Sequence, residues 1–156
     1  MLDGIMKIGV LSDTHVDSLY EISPVVVNAL ADVDLIIHTG DFVGLKVLEG
    51  LRKLKEVRAV RGNMDSFEIR DLLPETDICV ANGKRIGIIH GSGPPGGIEQ
   101  RVREQFGEVD IIIYGHSHEA RNEVFEGVLL FNPGPGNKSY GILKIDTNVT
   151  AEIISI

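Results

Sequence analysis

Cysteine occurs once in this chain of 156 residues, tryptophan is absent, and aromatic residues make up only 5%. A lone thiol, Cys79, excludes an intramolecular disulfide and any thiolate-rich zinc cluster. It reads as a small buried apolar residue in a reducing compartment. No apolar run approaches the ~20 residues of a membrane span, and no basic stretch precedes an apolar one at the N-terminus. The expectation is a cytoplasmic protein without a membrane partner, with Met1 to Ile5 as a short leader before the first strand. Basic residues are also scarce, 15 against 23 acidic ones for a net charge of -8. That balance leaves no strong nucleic-acid footprint. It does not exclude phosphate binding at a point where divalent cations reverse the local field.

A chain of this length buries roughly 68–70% of its extended surface as one domain, so residues 1–156 are read as a single unit. Short β-branched runs at Lys7–Leu11, Leu35–His38, Val57–Val60, Ile86–Ile89 and Ile111–Tyr114 read as buried strands. Helical patterns lie between them. Ser23-Pro24 supplies an N-cap and N1 proline, Leu45, Leu48, Leu51 and Leu54 repeat along a second helix, and Ser66 caps a third that Pro74 stops. A fourth follows Gly96-Gly97, with Ile98, Val102 and Phe106 on one face and its end at Gly107. The last third holds strand patterns with turns and no helices, which predicts a β-meander. The fold class expected is α/β, two packed sheets with helices on the outer faces.

Five polar segments each close an apolar run: Ser12-Asp13-Thr14-His15, Thr39-Gly40-Asp41, Arg61-Gly62-Asn63, Ile89-His90-Gly91 and Gly115-His116-Ser117-His118. Four of the five histidines fall in them, beside two aspartates and an asparagine. In an open α/β sheet, loops at the carboxyl ends of strands converge on the ligand crevice. Imidazoles and carboxylates without thiolates favour Mn, Fe, Co, Ni or Zn over Ca. The pairs Asp13/His15 and His116/His118 are two residues apart, so in extended backbone each pair projects to one side. Any one segment alone reads as turn punctuation or a helix cap. Their joint order reads as one dinuclear metal site.

In this order and placement the segments resemble the calcineurin-like metallophosphoesterase superfamily, and within it the small single-domain bacterial and archaeal phosphodiesterases. The resemblance runs from Ser12-Asp13-Thr14-His15 to Asn132-Pro133-Gly134. It implies a four-layer αββα sandwich of two mixed sheets. It also implies that Asp13, His15 and His118 bind one metal, that Asn63, His90 and His116 bind the other, and that Asp41 bridges them. Two divalent ions are expected, Mn or Ni first, with Fe, Co, Zn or Mg as alternatives. The chemistry implied is in-line attack on phosphorus by a hydroxide shared between two ions about 3.5–4 Å apart. Asp41, Asn63, His90 and His116 are then the catalytic set. His38 is not a ligand position in this family and reads as a core residue or one that orients a ligand. For Asp65, orienting Asn63 or a ligand histidine and plain surface solvation stand as equal readings.

Two departures bear on function. Many relatives carry a histidine after the asparagine of the third segment, where this chain has Met64, which donates no proton. That resembles the diesterase branch and favours a small-molecule or nucleotide phosphodiester over a monoester. After His90 comes Gly91-Ser92 and then Gly93-Pro94-Pro95-Gly96-Gly97. This loop reads either as a plain connection or as a source of backbone N–H groups for phosphate, and Asn63, Gly91 and Ser92 are the substrate-binding candidates. The alternatives to a diesterase are a phosphomonoesterase, and a protein-interaction scaffold of the same fold, as in the retromer subunit. A homo-oligomer is compatible with each.

Overall fold

The computed structural model describes residues 4–156. Of the expected leader, Met1 to Asp3 lie outside the described residues. Gly4 and Ile5 are exposed, and the Gly4 carbonyl accepts a hydrogen bond from Asn82 Nδ2 at 2.9 Å.

The first sheet contains β1 (Met6–Leu11), β2 (Leu35–His38), β3 (Val57–Ala59), β9 (Ser139–Ile145) and β10 (Val149–Ser155), in the order β10-β9-β1-β2-β3. The second contains β4 (Thr76–Ala81), β5 (Lys84–Ile89), β6 (Ile111–Ile113), β7 (Arg121–Phe125) and β8 (Val128–Asn132), in the order β4-β5-β6-β8-β7. Strands β1, β2 and β3 pair in parallel, as do β5, β6 and β8, so both sheets aim carboxyl ends at common loops. Both sheets are mixed: β9 and β10 extend the first in antiparallel pairing, and antiparallel β4 and β7 form the two edges of the second. Helices α1 (Pro24–Leu30), α2 (Leu45–Leu54), α3 (Phe67–Leu72) and α4 (Ile98–Glu104) connect them.

Side-chain alternation along each strand sorts the chain into layers. Ile8, Val10, Leu35, Ile37, Ile86, Ile88, Ile111 and Ile113 fill the space between the sheets. Leu11 and Ile36 face outward onto Val26, Leu30, Val47, Leu48, Leu51 and Ile69 of α1 to α3. Ile112 and Leu130 face outward onto Ile98 and Val102 of α4. Three apolar layers therefore separate four layers of secondary structure. Each fully buried Ile or Leu contributes about 1.5–3 kcal/mol. Gly9 and Gly87 lie mid-strand on the outward faces, where a Cβ at Gly9 would meet Leu30 and one at Gly87 would lie 2.9 Å from the Phe106 ring. Cys79 is buried in the central layer, and burial pushes its thiol pKa up.

The cap signals hold. Val25 N–H donates to Ser23 Oγ at the start of α1, and Ile69 N–H to Ser66 Oγ at the start of α3. Two expectations are corrected. The last four strands do not form one meander: the β7–β8 hairpin completes the second sheet and the β9–β10 hairpin the first. Strand β4 has no counterpart in the sequence reading, because its edge position leaves Ile78 and Val80 exposed and its apolar pattern broken. None of the described helices is long and apolar enough to cross a membrane.

Candidate metal centre

The five polar segments leave the carboxyl ends of β1, β2, β3, β5 and β6 and meet above the seam between the sheets. Backbone bonds tie them together: Asp13 N–H to the Gly40 carbonyl at 3.0 Å, His15 N–H to Asp41 at 3.1 Å, and Gly115 N–H to His90 at 3.0 Å. Asp13, His15, Asp41, His116 and His118 all adopt positive φ, between 48° and 69°. The pairs two residues apart converge through left-handed turns, not through the extended backbone expected. Such residues carry strain of order 1–3 kcal/mol each, held in place by the surroundings. Close packing is part of that restraint, since a Cβ at Gly115 would lie 2.7 Å from Asp13 Oδ2 and 2.8 Å from Thr39 Oγ1.

One group of donors is centred on buried His90 and Asp41, with His116 half-buried and Asn63 exposed beside them. His90 Nδ1 donates to the Thr39 carbonyl at 2.8 Å, and His116 Nε2 to the Gly93 carbonyl at 3.0 Å. These acceptors fix both tautomers, leaving lone pairs on His90 Nε2 and His116 Nδ1. The two bare nitrogens face each other across 3.3 Å. Asn63 Oδ1 stands 3.0 Å and Asp41 Oδ2 3.3 Å from the same His90 Nε2. Four electron-rich atoms this close repel one another unless a positive charge sits among them. Titration behaviour carries the same demand. Burial lowers the His90 pKa, yet hydrogen bonding and charge from Asp41 and Asp13 raise it above the ordinary imidazole value. Burial raises the Asp41 carboxyl, but hydrogen bonding and charge from His90, together with the Met64 N–H donated to Asp41, pull it below the usual range.

The second group is more open. His118 Nε2 lies 3.4 Å and His15 Nε2 4.0 Å from Asp13 Oδ1, and His15 Nε2 is 3.7 Å from Asp41 Oδ2. Asp13 Oδ1 is buried without a hydrogen-bond partner. An orphaned carboxylate oxygen costs more than an unmade neutral bond, and a cation held with the two imidazoles satisfies it. Ligand atoms of Asp13, His15 and His118 fall within 4.8 Å of one another, as do those of Asp13, Asp41 and His90. The donor set, nitrogen and oxygen without sulfur, fits divalent ions of the Mn to Zn series.

Residues around the donors hold them in place. Asp65 was expected to orient Asn63 or a histidine, or else to sit in solvent. Instead its buried carboxylate accepts from backbone: Oδ2 from Asp41 N–H at 2.9 Å and Gly62 N–H at 2.7 Å, Oδ1 from Val43 N–H at 2.9 Å. It clamps the second segment to the third. Ser12 Oγ donates to Asp13 Oδ2 at 2.6 Å and accepts from Thr39 Oγ1 at 2.5 Å. Asn132, fully buried, donates to the Gly115 carbonyl and Ser117 Oγ and accepts from Gly134 N–H. His38 is stacked on Phe42 at 3.6 Å with both ring nitrogens engaged, by Gly40 N–H and Thr14 Oγ1, away from the donor cluster. Burial lowers its pKa to about 3, so the ring is neutral.

In the Gly-Pro loop four carbonyls are engaged by side chains. Arg101 donates to the carbonyls of Ser92, Gly96 and Pro94, while the Gly93 carbonyl holds His116. Nothing in the sequence spacing signals this strap; only the fold brings Arg101 under the loop. Gly91 and Ser92 line a cavity of about 500 Å³ together with Asn63 and His90. A second cavity of about 350 Å³ opens beside Asp13, His15 and His118, walled by Val16, Pro135 and Lys138. Met64 gives its backbone N–H to Asp41 Oδ1 at 2.8 Å and leaves its side chain exposed.

Comparison with known proteins agrees with this architecture. A probable metallophosphoesterase of Methanocaldococcus jannaschii is 36% identical over 167 residues, covering 100% of this chain and 84% of that protein. A phosphodiesterase of the same organism is 32% identical over 171 residues, covering 96% of this chain and 99% of its own. The crystal structure of a Vps29 mutant from Entamoeba histolytica superposes with a TM-score of 0.76 over 97% of this chain and 99% of that one, at 24% identity, a likeness of fold. The calcineurin-like phosphoesterase superfamily domain matches residues 6–148, and with the fold and the Asp/His cluster in agreement, the chain belongs to that superfamily.

Proposed function

We propose that this protein is a phosphodiesterase dependent on two divalent cations, acting as one domain in the cytoplasm. One observation carries the reading: His90 Nε2 and His116 Nδ1, the ring nitrogens left free of carbonyl partners, face each other at 3.3 Å beside two carboxylates. Asn63, His90 and His116 would hold one ion and Asp13, His15 and His118 the other, with Asp41 shared, since its Oδ2 stands 3.3 Å from His90 Nε2 and 3.7 Å from His15 Nε2. Bound there, two cations supply Lewis acidity and an acidified water for in-line attack on phosphorus. Mn and Ni suit this donor set first.

The chain's own residues do the positioning. The Thr39 and Gly93 carbonyls keep the two imidazoles in the ligating tautomer, and the Met64 N–H and Asp65 clamp fix Asp41. Asn63, Gly91 and Ser92 form the wall against which the phosphate and one ester arm lie. The exposed Met64 side chain has no proton to give a leaving group, which favours diesters with activated or stabilised leaving groups over monoesters. The relative named as a phosphodiesterase supports the same choice.

The test loads metal-free protein with Mn, Ni, Co, Zn or Mg and compares bis-p-nitrophenyl phosphate with p-nitrophenyl phosphate. The expected result is metal-dependent turnover with the diester preferred. Preference for the monoester overturns the diester reading. No turnover with any metal, together with retained fold, favours the second reading, a protein-interaction platform using exposed Tyr20, Phe67 and Val124.

A further inference from the structure

The two cavities lie on either side of the donor cluster, and they differ in charge. The larger one, beside Asn63 and His90, is lined by Arg61, Arg70 and Arg101 together with Glu75 and Glu104. In a chain of net charge -8, three guanidinium groups around one opening are a local reversal. Each is pinned by a backbone carbonyl. Arg61 Nη1 donates to Leu73 at 3.1 Å, Arg70 Nη2 to the carbonyl of Asn63 itself at 3.2 Å, and Arg101 Nε to Ser92 at 2.8 Å.

A carbonyl fixes the direction of a guanidinium without cancelling its charge, whereas a carboxylate does both. The carboxylate nearest these groups among the ion pairs of the described residues is Glu75, 4.0 Å from Arg61 Nη2 with 78% of its side chain exposed, a geometry that solvent largely screens. Arg101 spends Nε, Nη1 and Nη2 on the loop carbonyls and adds only its charge, so the receptor for phosphate oxygens is Arg61 and Arg70, each held by one carbonyl and weakly compensated, with guanidinium donors left over. A cavity of about 500 Å³ holds a nucleotide-sized group.

We infer that this cavity is an anion-accepting subsite, and that the preferred substrate is a phosphodiester carrying a second phosphate on the ester arm that lies there. The inference rests on the phosphodiesterase reading for its biological meaning. The second cavity, with Lys138 and no arginine in its wall, takes the less charged arm. Arg61 and Arg70 are then specificity-determining residues and need no part in bond cleavage.

The test is a binding titration of the manganese-loaded protein with thymidine 3′,5′-bisphosphate and with thymidine 5′-monophosphate. The bisphosphate is expected to bind about tenfold tighter or more, the scale of one charge-assisted hydrogen bond. In the Arg61→Gln/Arg70→Gln variant, folded by circular dichroism, the gap closes to about twofold or less. Glu75→Gln, a change at an exposed side chain, widens the gap and supplies the answer if the double variant fails to fold. Equal affinities in the wild type, or a gap indifferent to all three changes, overturn the subsite. Turnover of bis-p-nitrophenyl phosphate reads the phosphodiesterase proposal separately, since its loss leaves the binding gap intact.

Discussion

The two halves of the donor cluster are built differently. In one, His90 is nearly sealed, its side chain 5% exposed, and although Asn63 beside it is exposed, His90 and His116 have their second ring nitrogen tied to a carbonyl. In the other, His15 and His118 are 34% and 51% exposed, and among the described residues their rings are met by Asp13 and Asp41 across 3.4 to 4.0 Å without a tautomer-fixing partner. The buried half is organised by the protein before any ion arrives. The open half takes its final geometry from the ion itself. Preorganisation of this kind raises affinity because little side-chain freedom is lost on binding, so the two sites should fill in sequence, the buried one first.

Removing the group common to both halves has the largest effect. Asp41→Ala should lower metal-dependent diester turnover on the order of 10²–10³-fold, with both ions lost in elemental analysis of dialysed protein. A variant that keeps both ions and most of its activity would break the bridging assignment. Asp65→Ala comes next and loosens the shared Asp41 together with the segment that carries Asn63. It strands the buried N–H groups of Asp41 and Gly62, each at a cost of about 1–3 kcal/mol, and should weaken the tighter ion roughly 10–100-fold. Calorimetric titration that showed only the weaker ion affected would reverse the comparison. His118→Ala should be milder, leaving one ion per chain at full strength and removing the second step of the titration.

The sequence made the cluster legible because ligand chemistry is local. Each donor sits within five residues of a strand's carboxyl end, and an Asp or His there needs no tertiary knowledge to be noticed. Helix caps at Ser23 and Ser66 were legible for the same reason. Contacts that depend on the fold were not. Asp65 reaches 24 residues back to Asp41 N–H, and Arg101 reads as one more solvated charge on a helix until the fold sets it beneath three loop carbonyls. The left-handed turns at Asp13, His15, His116 and His118 were hidden because nothing in an Asp or a His announces positive φ. Strand β4 did leave a signal. Asn82-Gly83, with φ of 48° and 80°, is the two-residue turn that hairpins favour, and it joins β4 to β5.

His38 links the two halves and gives the smallest and sharpest test. Its Nδ1 accepts from Gly40 N–H at 3.0 Å in the loop of the buried half, and its Nε2 meets Thr14 Oγ1 at 3.1 Å in the loop of the open half. Burial holds the folded pKa at about 3 against an ordinary 6.5. A depressed folded pKa contributes stability that is fully present above 6.5. As pH falls below 6.5 the unfolded chain takes up a proton that the folded ring refuses, and stability drops by up to about 1.4 kcal/mol per pH unit from this group. His38→Asn keeps an acceptor for Gly40 and removes the titration, at the loss of the Phe42 stack. Urea denaturation of the metal-free proteins should therefore show the variant less stable at pH 7.5 and the difference shrinking steadily from pH 6.5 to 4.5. His90 and Asp41 titrate in both proteins and largely cancel in the difference. A gap that stays constant over that window would mean His38 protonates as freely in the fold as in water, and the two loops would then have no neutral pin between them.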